Sequence, residues 1–264
     1  MRTEDVRIGF IGFGNMGSAI CDGMLAAGVI PPENVNACAH DWEKLLDNTE
    51  KRGINACMTA GETAENSDLI VVAVKPYMVR TVLEPIKDKL IGKAVVSIAA
   101  GCGFDFYEEF LIEGTNHIST VPNTPVAIGQ GIIVTEEKHS LTDEQLAVFE
   151  ELFGAIGVVE YVDAAHVSVA GTLSGCGPAF AAMFIEALGD AGVKYGLKRP
   201  VAYRLAAQMI AGTGSLYMET GTHPGAMKDA VCSPGGTTIR GVSALEENGF
   251  RSALIKAIDA IEGK

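Results

Sequence analysis

The chain has 264 residues, 48% of them apolar and 20% charged, which is a globular rather than a disordered composition. Twenty basic residues against 33 acidic ones give a net charge of −13, the wrong electrostatic footprint for nucleic-acid phosphates or anionic lipid. At roughly 100–200 residues per domain, the length suits one large domain or two modest ones.

Met1–Arg7 carries two acids and no apolar signal-type stretch. No uninterrupted apolar run approaches the ~20 residues needed to span a bilayer. The six cysteines (Cys21, Cys38, Cys57, Cys102, Cys176, Cys232) contain no C-x-x-C pair, and the five histidines are equally dispersed. These features predict reduced thiols, a cytoplasmic protein, no metal site and no membrane or nucleic-acid partner.

In chain order, Val6–Ile11 reads as an apolar strand and Asn15–Ala27 as a helix stopped by Gly28. Val35–Ala39 is a second strand, and Leu69–Val74 has the unbroken apolar character of a strand buried on both faces. Ala94–Ile98 and His117–Val121 continue the pattern, with helices at Val79–Leu90 and Phe104–Phe110 between strands. Thr142-Asp-Glu-Gln145 is a capping box opening a further helix, and Val158–Val162 is the last strand of this half. Such alternation predicts a parallel sheet with right-handed crossovers. From Asp163 the chain reads as helices only: Pro178–Ala191, Pro200–Glu219, Ala226–Val231, Thr237–Glu247 and Arg251–Ile261. Ala179–Leu188 is apolar nearly all round and calls for burial that a helical tail alone can hardly provide. The fold expected is α/β, with one domain over 1–162 and an all-helical one over 163–264 that pairs with its copy in a dimer.

Two loops carry chemistry. Gly12-Phe-Gly14-Asn15-Met16-Gly17 sits between the first strand and first helix, where glycines permit a tight turn and close approach to a pyrophosphate. Cofactor choice turns on Cys38-Ala39-His40-Asp41. A strand ending at Ala39 leaves His40 to meet a 2′-phosphate, whereas a longer strand brings Asp41 to the ribose and selects NADH. NADPH is expected, with NADH the alternative. Ser233-Pro-Gly-Gly236-Thr237-Thr238 gathers N–H and O–H donors at a helix start and suits a carboxylate; a plain helix cap is the bland alternative.

These loops belong to an ordered set: Ile8–Gly17, A-V-K-P (Ala73–Pro76), V-P-N-T-P (Val121–Pro125), L-S-G-C-G-P-A-F (Leu173–Phe180), H-P-G (His223–Gly225) and V-C-S-P-G-G-T-T-I (Val231–Ile239). Over essentially its whole length the chain resembles the pyrroline-5-carboxylate reductases. The resemblance implies that Gly12, Gly14, Asn15, Met16 and Gly17 hold the dinucleotide phosphates. Ala73, Val74, Lys75 and Pro76 would line the nicotinamide side. Ser233, Gly236 and Thr237 would bind the carboxylate of 1-pyrroline-5-carboxylate, and Thr238 would meet its ring nitrogen as the catalytic residue. It also implies a Rossmann-like, doubly wound dinucleotide-binding domain over 1–162 and an all-helical dimerisation and substrate-binding domain over 163–264. A homodimer through the helical domain, higher assemblies of dimers as the family forms, and an active site shared between subunits follow from the same resemblance. Cys176, Val121 and Ala164 depart from the family's usual serine, methionine and acid.

The chemistry agrees. Ketone reduction calls for a proton donor to the alkoxide, usually Lys or His, whereas a cyclic imine can arrive protonated. The Ser233–Thr238 loop has no titratable side chain. The rival β-hydroxyacid dehydrogenase pattern needs a lysine and an asparagine where this chain has Ala181 and Ile185. Asn123, between Pro122 and Pro125, suits a turn or a site equally; His223 before Pro224 reads as structural.

Overall fold

Short, fully buried apolar runs become strands of one eight-stranded sheet in the computed structural model, which describes residues 5–263. The elements of the first half are β1 (Ile8–Ile11), α1 (Asn15–Ala27), β2 (Val35–Cys38), α2 (Trp42–Arg52), β3 (Asn55–Ala56), α3 (Ala60–Glu65), β4 (Leu69–Val72), α4 (Val79–Leu83), β5 (Ala94–Ser97), α5 (Phe104–Glu108), β6 (Asn116–Pro122), β7 (Gly131–Glu136), α6 (Asp143–Gly154) and β8 (Gly157–Val162). The sheet order is β3-β2-β1-β4-β5-β6-β7-β8. The chain therefore winds outward from β1 to β3, then returns to β4 on the other side. That reversal between β1 and β4 is the switch point where open α/β sheets bind ligands.

Both faces of the sheet are covered, as a doubly wound fold requires. Ile8, Phe10, Val71, Val96 and Ile118 pack beneath Ile20, Met24, Phe149 and Phe153 on one face. Ile11, Ile70, Val72 and Val95 meet Val79, Leu83 and Tyr107 on the other. Alternate residues of one strand feed opposite cores, which is why β1 and β4 are apolar throughout.

The structure corrects several expectations. The sheet is not wholly parallel: β7, not anticipated as a strand, runs antiparallel to β6, while β8 pairs parallel to β7. α2 and α3 were not foreseen either. The helix expected over Val79–Leu90 stops at Leu83, because Pro85 converts the remainder to 3₁₀ turns over Glu84–Leu90.

The rest is helical: α7 (Val167–Lys194), α8 (Arg199–Thr220), α9 (Pro224–Ala230), α10 (Thr237–Glu247) and α11 (Phe250–Glu262). α7 begins well before Pro178, so that proline lies inside the helix rather than opening it. The chain divides into two compact units, the first ending at Gly175 and the second beginning at Cys176. Within the second, α7 and α8 approach closely: a Cβ on Gly189 would lie 2.2 Å from the Tyr203 ring, and one on Gly192 would lie 2.9 Å from Ala202. Arg199 pairs with Asp190 at 2.6 Å across the same two helices. Little else is covered, for Met183, Leu205, Met218 and Ile255 are all exposed. By length and composition α7 is the one described helix long and apolar enough to cross a membrane, although Ser, Thr, Gly and Pro interrupt its apolar run.

In the first unit the tightest contact joins α1 to the 3₁₀ turn Thr124–Ile128, where a Cβ on Gly23 would lie 2.1 Å from the Val126 carbonyl oxygen. Gly23→Ala should cost about 1–3 kcal/mol, measured as a lowered denaturant midpoint with unchanged slope.

Candidate active site

The first loop lies at the switch point. Gly12 has φ +95°, and a Cβ there would sit 2.7 Å from the Ala73 carbonyl oxygen and 2.9 Å from Val74 Cγ1. A Cβ on Gly17 would meet the Gly12 oxygen at 2.9 Å. The turn is thus pressed onto the end of β4 and tolerates only glycine at these positions. Backbone bonds tie three strand ends together: Gly12 N–H donates to Cys38 O at 3.0 Å, and Ala73 N–H donates to Ile11 O at 2.8 Å. Gly14 differs, because a Cβ there would meet no atom within 4 Å. It caps α1 without a side-chain bond, and no acid stands in the first turn. The first N–H groups of α1 therefore face open space with a positive dipole end, which fits a dinucleotide pyrophosphate.

β2 stops at Cys38, earlier than either sequence alternative. His40 is exposed, and Asp41 caps α2, its Oδ1 accepting the Lys44 N–H at 3.0 Å. Burial pushes the Cys38 thiol above its ordinary pKa, so it stands neutral at this corner. Across the switch point Ala73 and Val74 are half-buried and Lys75 and Pro76 exposed. The loop after β5 adds a support that sequence patterns did not single out: the Cys102 thiol, also pushed up by burial, donates to Pro76 O at 4.0 Å. Its position after the strand next to β4 is the signal that could have found it.

Gly12, Gly14, Asn15, Met16, Gly17, His40, Ala73, Val74, Lys75 and Pro76 are thus gathered at strand ends of the first unit. Ser233, Gly236, Thr237 and Thr238 belong to the second. There Gly235 turns the chain with φ +68°, and Gly236 N–H donates to Ser233 O at 3.0 Å. A Cβ on Gly236 would lie 2.5 Å from Ser233 Oγ and 3.0 Å from Ser233 O, so a larger residue there would displace the Ser233 hydroxyl. Gly236 caps α10 with no side-chain bond, there is no acid in the first turn, and Thr237 and Thr238 are exposed. Neither threonine serves as the helix cap. With the Gly236 N–H already engaged, the exposed Thr237 and Thr238 remain at an uncapped helix start, where donors of this kind suit an anion.

The remaining motif residues are structural. His223 Nδ1 accepts the Gly225 N–H at 3.1 Å and caps α9. Asn123 is buried, with both ends of its carboxamide hydrogen-bonded within the fold.

A doubly wound sheet with a glycine turn at its switch point, followed by a helical unit, is the architecture of a dinucleotide-dependent oxidoreductase. Residues 164–264 match the family described as pyrroline-5-carboxylate reductase dimerisation, and residues 7–101 match NADP oxidoreductase coenzyme F420-dependent. The chain is 44% identical to a pyrroline-5-carboxylate reductase of Treponema pallidum, over 97% of this chain and 98% of that one. It is 40% identical to the enzyme of that name from Escherichia coli, over 96% and 94%. A Plasmodium falciparum pyrroline carboxylate reductase solved with NADP bound superimposes with a TM-score of 0.87 at 31% identity, covering 98% of this chain and 96% of that one. The chain belongs to the pyrroline-5-carboxylate reductase family.

The two glycines should separate experimentally. Gly12→Ala should destabilise the fold by about 1–3 kcal/mol through overpacking and strain. Gly14→Ala should leave stability within about 0.5 kcal/mol while weakening dinucleotide binding by at least about tenfold, seen in NADPH fluorescence titrations beside thermal melts.

Proposed function

We propose that the chain reduces 1-pyrroline-5-carboxylate to L-proline, the last step of proline synthesis, with NADPH as the preferred reductant. The carrying observation is the α10 loop: free backbone and hydroxyl donors with no titratable side chain between Ser233 and Thr238. Such a site orients a substrate that brings its own proton and would serve a ketone poorly.

Ser233, Gly236 and Thr237 hold the substrate carboxylate, and the Thr238 hydroxyl orients the ring nitrogen. Gly12, Gly14, Asn15, Met16 and Gly17 hold the pyrophosphate, while Ala73, Val74, Lys75 and Pro76 confine the nicotinamide side. The dinucleotide, when bound, supplies the hydride. The chain's contribution is mainly orientation, which can lower a barrier by several kcal/mol, up to ~7–11. NADPH is favoured because Asp41 is engaged as the α2 cap, which leaves exposed His40 to meet a 2′-phosphate.

Residues 1–162 serve as the dinucleotide-binding domain and 163–264 as the dimerisation and substrate-binding domain. The exposed apolar residues of α7 and α8 form the face that a second copy covers, so α7 is an interface helix rather than a membrane span. Six free cysteines, four of them buried, fit a cytoplasmic protein.

Absorbance at 340 nm tests this directly, with the protein, 1-pyrroline-5-carboxylate and either NADPH or NADH. Consumption faster with NADPH, and cut by about 10²-fold or more in Thr238→Ala, is the expected result. Turnover unaffected by that substitution removes Thr238 from its role, and faster turnover with NADH reverses the assignment of His40 and Asp41.

A further inference from the structure

Two motifs remain without a task, V-P-N-T-P around Asn123 and G-C-G-P around Pro178, and they meet at a single atom. Pro178 lies inside α7 and has no N–H, so the carbonyl four residues earlier, that of Ser174, loses its helical donor. Ser174 is buried, and a buried carbonyl left bare is costly. The Asn123 carboxamide takes the missing donor's place: Nδ2 donates to Ser174 O at 2.9 Å. Asn123 has little freedom to do otherwise. Its Oδ1 accepts the Ile132 N–H at 2.9 Å, its own N–H donates to Ile132 O at 3.2 Å, and its carbonyl accepts the Val126 N–H at 3.2 Å. With the oxygen end committed to β7, the amino end is aimed at α7.

The place where this happens matters. Gly175 and Gly177 lie between the freed carbonyl and Pro178, and a Cβ on either would meet nothing within 4 Å, so packing does not demand glycine there. A helix with two glycines and a proline in four residues bends easily. The chain's two compact units divide in the same stretch, between Gly175 and Cys176. Just before it, the helix is seated on the sheet, where a Cβ on Gly171 would lie 3.4 Å from Val121 Cγ1.

We propose that Gly175–Pro178 is a hinge in α7 and that Asn123 is its latch, a positioning residue that sets the direction in which the helix leaves the dinucleotide-binding unit. Its catalytic consequence rests on the function proposed above, since the same helix leads to the chain segment bearing Ser233–Thr238. The latch itself concerns α7 alone and can be tested without turnover.

Asn123→Asp keeps an oxygen for Ile132, removes the donor to Ser174 and sets acceptor against acceptor. Pro178→Ala gives Ser174 O a donor from the helix itself and makes the latch redundant. In the full-length protein, N123D should lower kcat/KM for 1-pyrroline-5-carboxylate by about tenfold or more, with the Kd for NADPH within about twofold. P178A alone should stay close to the parent, and N123D/P178A should recover most of the loss, a coupling that a merely stabilising residue would not show. Amide hydrogen exchange across residues 174–182 should rise about tenfold or more in N123D and fall back in the double variant. That readout needs no substrate, so a parent protein inactive on the imine would overturn the proposed function while exchange still decides the latch. Equal losses in N123D and N123D/P178A, or NADPH affinity falling in step with kcat/KM, overturn the proposal. Should N123D fail to fold, P178A alone decides: slower exchange across 174–182 supports the hinge and unchanged exchange overturns it.

Discussion

The nearness of Gly12 to Ala73 is the constraint on which the first unit's site depends. One added carbon at Gly12 would stand 2.7 Å from a carbonyl oxygen, so the turn after β1 rests directly on the end of β4. Because Gly12 also donates to Cys38, the ends of β1, β2 and β4 form one rigid edge. α1 starts from that edge with its N–H groups already aimed outward. A dinucleotide would meet donors that need no rearrangement, and preorganisation of this kind is where affinity is gained. The same edge fixes Ala73 and Val74, which lie directly against the glycine turn.

Helix starts sort by what they do with their free N–H groups. α2, α3, α6 and α9 satisfy theirs with Asp41, Thr59, Thr142 and His223. α1 and α10 are capped by glycine and use no side chain. An uncapped start is not in itself a site, since α8 and α11 lack side-chain caps too. Nor is a glycine cap distinctive, since α5 and α11 start from Gly103 and Gly249, the first N–H of α5 being taken up by Glu136 Oε2 at 2.7 Å. On the function proposed above, the starts of α1 and α10 would receive a diphosphate and a carboxylate, using backbone almost alone.

Much of this was legible in the residues. Strands buried on both faces announce themselves as unbroken apolar runs, and Leu69–Val72 and Ala94–Ser97 were readable for that reason. The capping box at Thr142 was equally clear, because its signal is local. β7 was not, since its antiparallel direction depends on a turn, Thr124–Ile128, whose geometry is set by the contact with Gly23. The early start of α7 was hidden because glycine, serine and proline are poor helix formers, and tertiary bonds such as Asn123 to Ser174 override that preference. The end of β2 was misplaced because Asp41 looks alike as a ribose ligand and as a helix cap, and only its bond to Lys44 tells them apart. The roles of the α10 loop came from family resemblance and its chemistry, since a short glycine turn carries no periodicity.

The bareness of the second unit has a consequence for how the protein exists at all. Among its described residues, Ala202 and Ala206 are the buried apolar side chains. A segment with so little interior has no core of its own to offset its chain entropy. Cover from another copy then becomes part of folding, and the stability of this half obeys mass action. The melting temperature should climb with protein concentration, and dilution should loosen the helices while the sheet persists. The amount of protein a cell makes therefore enters the free energy of its own fold.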